Sequence, residues 1–299
     1  MSDAAAQGES LEKWDSSSSV EFGMQRVFPE GASPFAWSAL GPVIEYALRR
    51  AFCRELALLP WPASQHVSAF VKCVDGQALL SDDLFVTAAG AARACGPRTK
   101  TRALRVRWMA EHRWAPSALS FTDALREGRS CTDIFDRTYD DLLFTLGKLR
   151  DWVFCVSEYF VSSAFAEVTG EKGRDIHEKD FARALGGFPA FLCEAPETPS
   201  QDMLDLQEHS VAGGGKGSKT LRTLSRAVRL TFREIEMLVM EIARRLADSG
   251  FFSHPADLVY LVWDELPVAV SQGIPKEGLQ STLIERRARF PLAAPSSFF

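Results

Sequence analysis

At 299 residues, with 46% hydrophobic and 24% charged side chains, the chain can bury one large core or two small ones, which excludes disorder throughout. Thirty-four Lys and Arg against 39 Asp and Glu leave a net charge of −5, so no global field draws it to nucleic acid or to an anionic membrane. Any anion site is local. The six cysteines, Cys53, Cys73, Cys95, Cys131, Cys155 and Cys193, stand about 20 to 40 residues apart with no C-x-x-C pair, and read as reduced thiols, several in the core. The start is acidic and Ser-rich, without the basic residues and apolar stretch of a signal peptide. No apolar run approaches the roughly 18 residues that span a bilayer, so a cytoplasmic protein is expected.

Residues 1–20, ending in Ser16 to Ser19, are small, polar and aperiodic, and predict a disordered tail; residues 294–299 are expected to form a C-terminal tail outside the domain. From Phe35 to Leu59 the apolar positions Phe35, Trp37, Leu40, Ile44, Leu48, Phe52 and Leu56 recur every three or four residues, the period of a helix with one buried face. Pro34 suits its first turn and Pro60 its end. β-branched residues around Asp75-Gly76 predict a small hairpin within 67–80, because that pair tolerates the positive φ of a tight turn. Residues 82–127 read as shorter helices punctuated by Gly96, Pro97 and Pro116.

The longest periodic segment runs from Asp133 to about Val168, where Leu142, Leu146, Leu149, Val153, Val156 and Phe160 step by three or four, with Thr132 or Asp133 as N-cap. Glycines and prolines between 169 and 200 leave room for at most a short helix around Phe181. After the glycines at 213–217, Leu221, Leu224, Val228, Phe232, Ile235, Val239, Ile242 and Leu246 predict a second long helix. Its other face carries Arg222, Arg226, Arg229, Arg233 and Arg244, and Gly250 is its C-cap. Two shorter helices, from about Trp263 and about Glu277, close a mainly α domain expected to span 21–293.

Three stretches carry a resemblance. Val27-Phe28-Pro29-Glu30-Gly31-Ala32-Ser33-Pro34-Phe35-Ala36-Trp37-Ser38-Ala39-Leu40 contains a Ser-Pro-Phe-x-Trp-Ser-x-Leu phrase. His254-Pro255-Ala256-Asp257-Leu258-Val259-Tyr260-Leu261-Val262-Trp263-Asp264-Glu265-Leu266 follows a helix running from Phe232-Arg233-Glu234, and Glu285-Arg286-Arg287-Ala288 comes last. In this order they resemble the helical middle domain of the phosphoenolpyruvate synthase and rifampicin phosphotransferase family. The likeness spans about residues 22 to 290, and its middle third, about 80 to 215, matches only in helical character.

That resemblance implies a substrate-binding or scaffold subunit of a split phosphotransferase, inactive alone. Separately encoded ATP-grasp and phosphohistidine-domain proteins would be its partners, with ATP and Mg bound on them and no cofactor on this chain. A small-molecule substrate is implied, with neither nucleic acid nor membrane. The alternative is a non-catalytic interaction or regulatory protein derived from such an enzyme, and a third reading is a self-sufficient enzyme.

No catalytic or metal-ligating set is expected. His254 sits in Gly250-Phe251-Phe252-Ser253-His254-Pro255-Ala256, which is similar to the family's phosphohistidine loop, Gly-Gly-x-x-Ser-His-x-Ala. Phe251 and Phe252 are bulky, and Ser249 stands in place of a glycine, where the loop must let phosphate approach backbone, so His254 reads as a decoy, a turn or cap residue. Gly213-Gly214-Gly215-Lys216-Gly217-Ser218-Lys219-Thr220 invites a phosphate-loop reading, but its spacing is wrong and the preceding Asp202 to His209 is polar, so a loop before the long helix is favoured. Arg93, Arg98, Lys100, Arg102, Arg105, Arg107 and Arg113, interleaved with Trp108 and Trp114, form a basic stretch that reads as a solvated helix face stacked on tryptophan. The candidates for a substrate pocket, by resemblance, are Trp37, Tyr139, Trp152, Tyr159 and Phe160, most of them expected in the core, with Arg233 as an anion or structural partner.

Overall fold

A computed structural model describes residues 33–56, 70–74, 77–94, 98–126, 135–170, 176–177, 180–181, 184–185, 216–272 and 277–289. The expected tails at 1–20 and 294–299, the turn at Asp75-Gly76, the breaker pair Gly96-Pro97 and Gly213 to Gly215 lie outside them. The described part is mainly α-helical: α1 (Pro34–Leu56), α2 (Asp82–Ala94), α3 (Arg98–Met109), α4 (Ala115–Arg126), α5 (Phe135–Val168), α6 (Lys216–Asp248), α7 (Leu266–Gln272) and α8 (Glu277–Arg289). Strands β1 (Val71–Val74) and β2 (Gln77–Leu80) pair antiparallel, with Val71 opposite Leu80. Of the crossover between α5 and α6, Asp180, Phe181 and Ala184 are helical.

The long helix α5 is the axis of the fold. Its polar-faced first half gives way to Trp152–Ser162, where only Phe154 is not fully buried. A helix buried all round must be enclosed by neighbours, and α1, α3 and α6 pack against it. The two serines caught there bond back to the helix: Ser157 Oγ donates to Val153 O at 2.7 Å and Ser162 Oγ to Tyr159 O at 3.2 Å. One cluster of buried apolar side chains runs from Phe35 through Phe52, Leu149, Phe165, Leu224 and Ile242 to Leu266 and Ala269.

Pro116 does not interrupt the chain as expected. Between α3 and α4 lies a single π turn, Ala110–Trp114, in which the Ala115 amide reaches the Ala110 carbonyl. Proline cannot donate to the residue four back and its ring clashes there, and a widened turn absorbs both defects. The joined helix therefore lays α3 on α5 and α4 on α6.

The end of α6 follows the expectation from Gly250. That glycine has φ +81°, Gly250 N donates to Ala247 O at 2.9 Å and Phe251 N to Leu246 O at 2.8 Å, which together satisfy the last carbonyls. The start of β1 is tied to α1 by Glu45, whose Oε2 accepts the amides of Phe70 at 2.7 Å and Val71 at 2.9 Å.

Candidate functional site

The three stretches that carry the resemblance meet at one end of the bundle. Ser33 caps α1, its Oγ accepting the Ala36 amide at 3.0 Å, and Pro34 supplies a preset φ at the first helical position. One turn on, the Ser38 hydroxyl donates back to Pro34 O at 2.8 Å and accepts the amide of Trp263 at 2.8 Å. The Trp263 indole lies between Phe35, at a ring separation of 6.0 Å, and Tyr139 of α5, stacked at 6.5 Å. Burial raises the Tyr139 phenol pKa above its ordinary value, helped by the charges of Asp140 and Asp264.

From the third stretch, Arg286 of α8 clamps the second. Its Nη1 donates to Glu265 Oε2 at 2.6 Å and Tyr260 O at 3.0 Å, and its Nη2 to Glu265 Oε1 at 3.1 Å. Such a fork fixes both distance and plane. Glu265 Oε2 also accepts the Val262 amide at 2.9 Å. His254 is a cap: its Nδ1 accepts the Ala256 amide at 3.1 Å, and its own amide donates to Asp257 Oδ2 at 3.0 Å. That geometry leaves Nδ1 as an acceptor and the proton of the neutral ring on Nε2.

The aromatic candidates do not gather in one recess. Tyr139 and Tyr159 are 20 residues apart on α5, which at 1.5 Å per residue separates them by about 30 Å. Tyr159 and Phe160 are buried edge to face at 6.3 Å; Tyr159 has its phenol pKa raised by burial, against the charge of Arg107. Trp152 is buried beside Phe121 of α4 at 5.8 Å, and its indole N–H meets no acceptor among the described residues. Trp37 is half-buried over Gly41, where a Cβ would stand 3.0 Å from the indole, so the helix backbone itself floors that ring. Arg233 is exposed on α6. On the same helix Arg222 and Arg244 are exposed, while Arg226 and Arg229 are half-buried.

The basic stretch divides. Arg102 turns inward to Glu158 at 3.3 Å, Arg107 pairs with Glu111 at 3.3 Å and Arg93 holds the Ile176 carbonyl at 2.7 Å. Lys100, Arg105 and Arg113 face solvent, and exposed Trp108 stacks on His112 at 4.9 Å. Arg98 lies at the start of α3, and Trp114 is half-buried against the core.

Sequence reading did not single out Glu158, which is 2% exposed and pairs with Arg54 at 2.8 Å as well as with Arg102. A carboxylate this deep needs both partners. One turn before it, burial and the Glu158 charge push the Cys155 thiol up to about 12. The signal available in the sequence was the four-residue spacing of Arg150, Phe154 and Glu158 on one helix and of Tyr46, Arg50 and Arg54 on another.

Among the described residues no group of three His, Cys, Asp or Glu side chains could hold a metal ion, and no helix is long and apolar enough to cross a membrane. These features define a mainly α-helical protein organised on a buried central helix. Compared with protein-family models, curated proteins and solved structures, the chain matches none.

Proposed function

We propose that this chain is a substrate-binding or scaffold subunit of a split ATP-dependent phosphotransferase, of the phosphoenolpyruvate synthase and rifampicin phosphotransferase type. ATP-grasp and phosphohistidine-domain proteins, with their ATP and Mg, complete the system and act on a small-molecule hydroxyl or on pyruvate. One observation carries the reading: the three stretches that resemble the family, the first of them far from the other two in sequence, interlock through Ser38, Trp263, Glu265 and Arg286. That phrases recurring in order also share one set of contacts supports reading them as one structural unit.

The test is reconstitution. The chain is mixed with candidate ATP-grasp and histidine-domain proteins and ATP, and acid-labile phosphohistidine and product are followed. Transfer that requires all three supports the reading; transfer undiminished without this chain removes it.

A regulatory protein derived from such an enzyme is the second reading, favoured by the burial of Trp152, Tyr159 and Phe160 as core. Under it the chain binds an intact family enzyme and changes its rate without being needed for turnover.

A further inference from the structure

We propose that the face where α1 meets α5 binds a small-molecule phosphomonoester, clamped by Arg50 and Arg150. Tyr46, Arg50 and Arg54 repeat every four residues along α1, and Arg150, Phe154 and Glu158 do so along α5, so each trio lines one side of its helix. The two sides interlock. The Arg50 guanidinium carbon lies 4.6 Å from the Phe154 ring centre and 5.7 Å from that of Tyr46. Arg54 lies 4.8 Å from Phe154, and Arg150 lies 5.3 Å from Tyr46.

A guanidinium over a ring is oriented by the ring while its N–H edge stays available for in-plane hydrogen bonds. Arg54 spends its edge on Glu158, and Arg50 gives Nη1 to the Tyr46 hydroxyl at 2.9 Å. Among the described residues no carboxylate pairs with Arg50 or Arg150, and both are exposed. Among the described side chains the local charge does not balance. Arg50, Arg54, Arg102 and Arg150 face two carboxylates, Glu158 and the neighbouring Asp151, whose charge reaches Cys155.

That leaves two positive charges in a chain whose net charge is −5. A phosphomonoester carries about −1.5 to −2 near neutral pH and three acceptor oxygens, which matches the excess and the N–H groups left open on Arg150 and, beside its bond to Tyr46, on Arg50. Tyr46 and Phe154 offer ring surface to the organic part. The site stands on these contacts alone, whichever reading of the chain's function holds.

Calorimetric titration of the full chain with phenyl phosphate tests it. One saturable site is expected, weakened about tenfold or more by Arg150→Gln and by Arg50→Gln, partly kept by Arg150→Lys, and weakened by added salt. Arg244→Gln, on α6, should leave it unchanged. Thermal melts show whether each variant is folded; should Arg50→Gln fail to fold, the exposed Arg150 pair decides alone. The proposal is overturned by absent saturation, by equal binding in folded Arg150→Gln, or by equal loss in Arg244→Gln, which marks unspecific charge. It is also overturned if phenyl phosphate does not bind while phosphatidylserine vesicles do, which marks a lipid surface.

Discussion

Ser38 and Trp263 are 225 residues apart in sequence, and the amide of one donates to the hydroxyl of the other at 2.8 Å. Ser38→Ala removes the acceptor and leaves a partly buried N–H without its partner, at a cost of about 1 to 2 kcal/mol. Chemical denaturation should show a lower midpoint with an unchanged slope. An unshifted midpoint would mean that this contact contributes nothing.

Arg286 attaches α8 to the rest through Glu265 and the Tyr260 carbonyl. Arg286→Ala should release residues 277–289 and cost about 1.5 to 3 kcal/mol, because bonds to charged groups are the stronger class. Hydrogen exchange resolved by peptide should rise in α8 and around Tyr260 while α5 keeps its protection. Arg287, whose side chain is 66% exposed at 3.4 Å from Asp257, should matter by less than about 1 kcal/mol.

Glu158→Gln leaves Arg102 facing a neutral amide in a nearly buried setting. Removing one partner of a buried pair costs about 3 to 5 kcal/mol, and the 43% exposure of Arg54 lowers the expectation to about 2 kcal/mol. Arg54→Ala should cost less than Glu158→Gln, since Arg102 stays to pair with the carboxylate. The reverse order in denaturation midpoints would contradict the assignment of Arg102 as the inward partner.

Cys155 sets an alkaline limit. Its folded pKa is raised from 9.0 to about 12, so the native state keeps the proton that the unfolded chain releases first. The stabilisation is complete below pH 9 and is lost as pH rises toward 12. Tyr139 and Tyr159, both raised by burial, act with the same sign. Cys155→Ala should flatten the fall in stability measured from pH 8.5 to 10.5. At pH 8 a thiol reagent should label exposed Cys53 and spare Cys155, as read by mass spectrometry.

The helical period made α1, α5 and α6 legible, because a single buried face writes itself every three or four residues. Pro34 and Gly250 marked ends correctly, since both act through local backbone geometry. Pro116 misled for the opposite reason: whether a proline breaks a helix depends on whether the turn before it can widen, and packing decides that. Arg102 read as a surface cation because its carboxylate lies 56 residues away, and only the docking of α3 on α5 joins them. The aromatic candidates shared a composition but not a place, as the length of α5 keeps Tyr139 and Tyr159 at different levels.

The π turn makes the α3–α4 rod a crank. One surplus residue rotates everything beyond it by roughly 100° relative to an uninterrupted helix. Ala115, Ala118 and Thr122 thereby end up inside, on the side of α6. Excising a single residue from Ala110–Trp114 would straighten the shaft and swing those small side chains outward, so the spacing between the two bearing surfaces is gauged by an insertion of one.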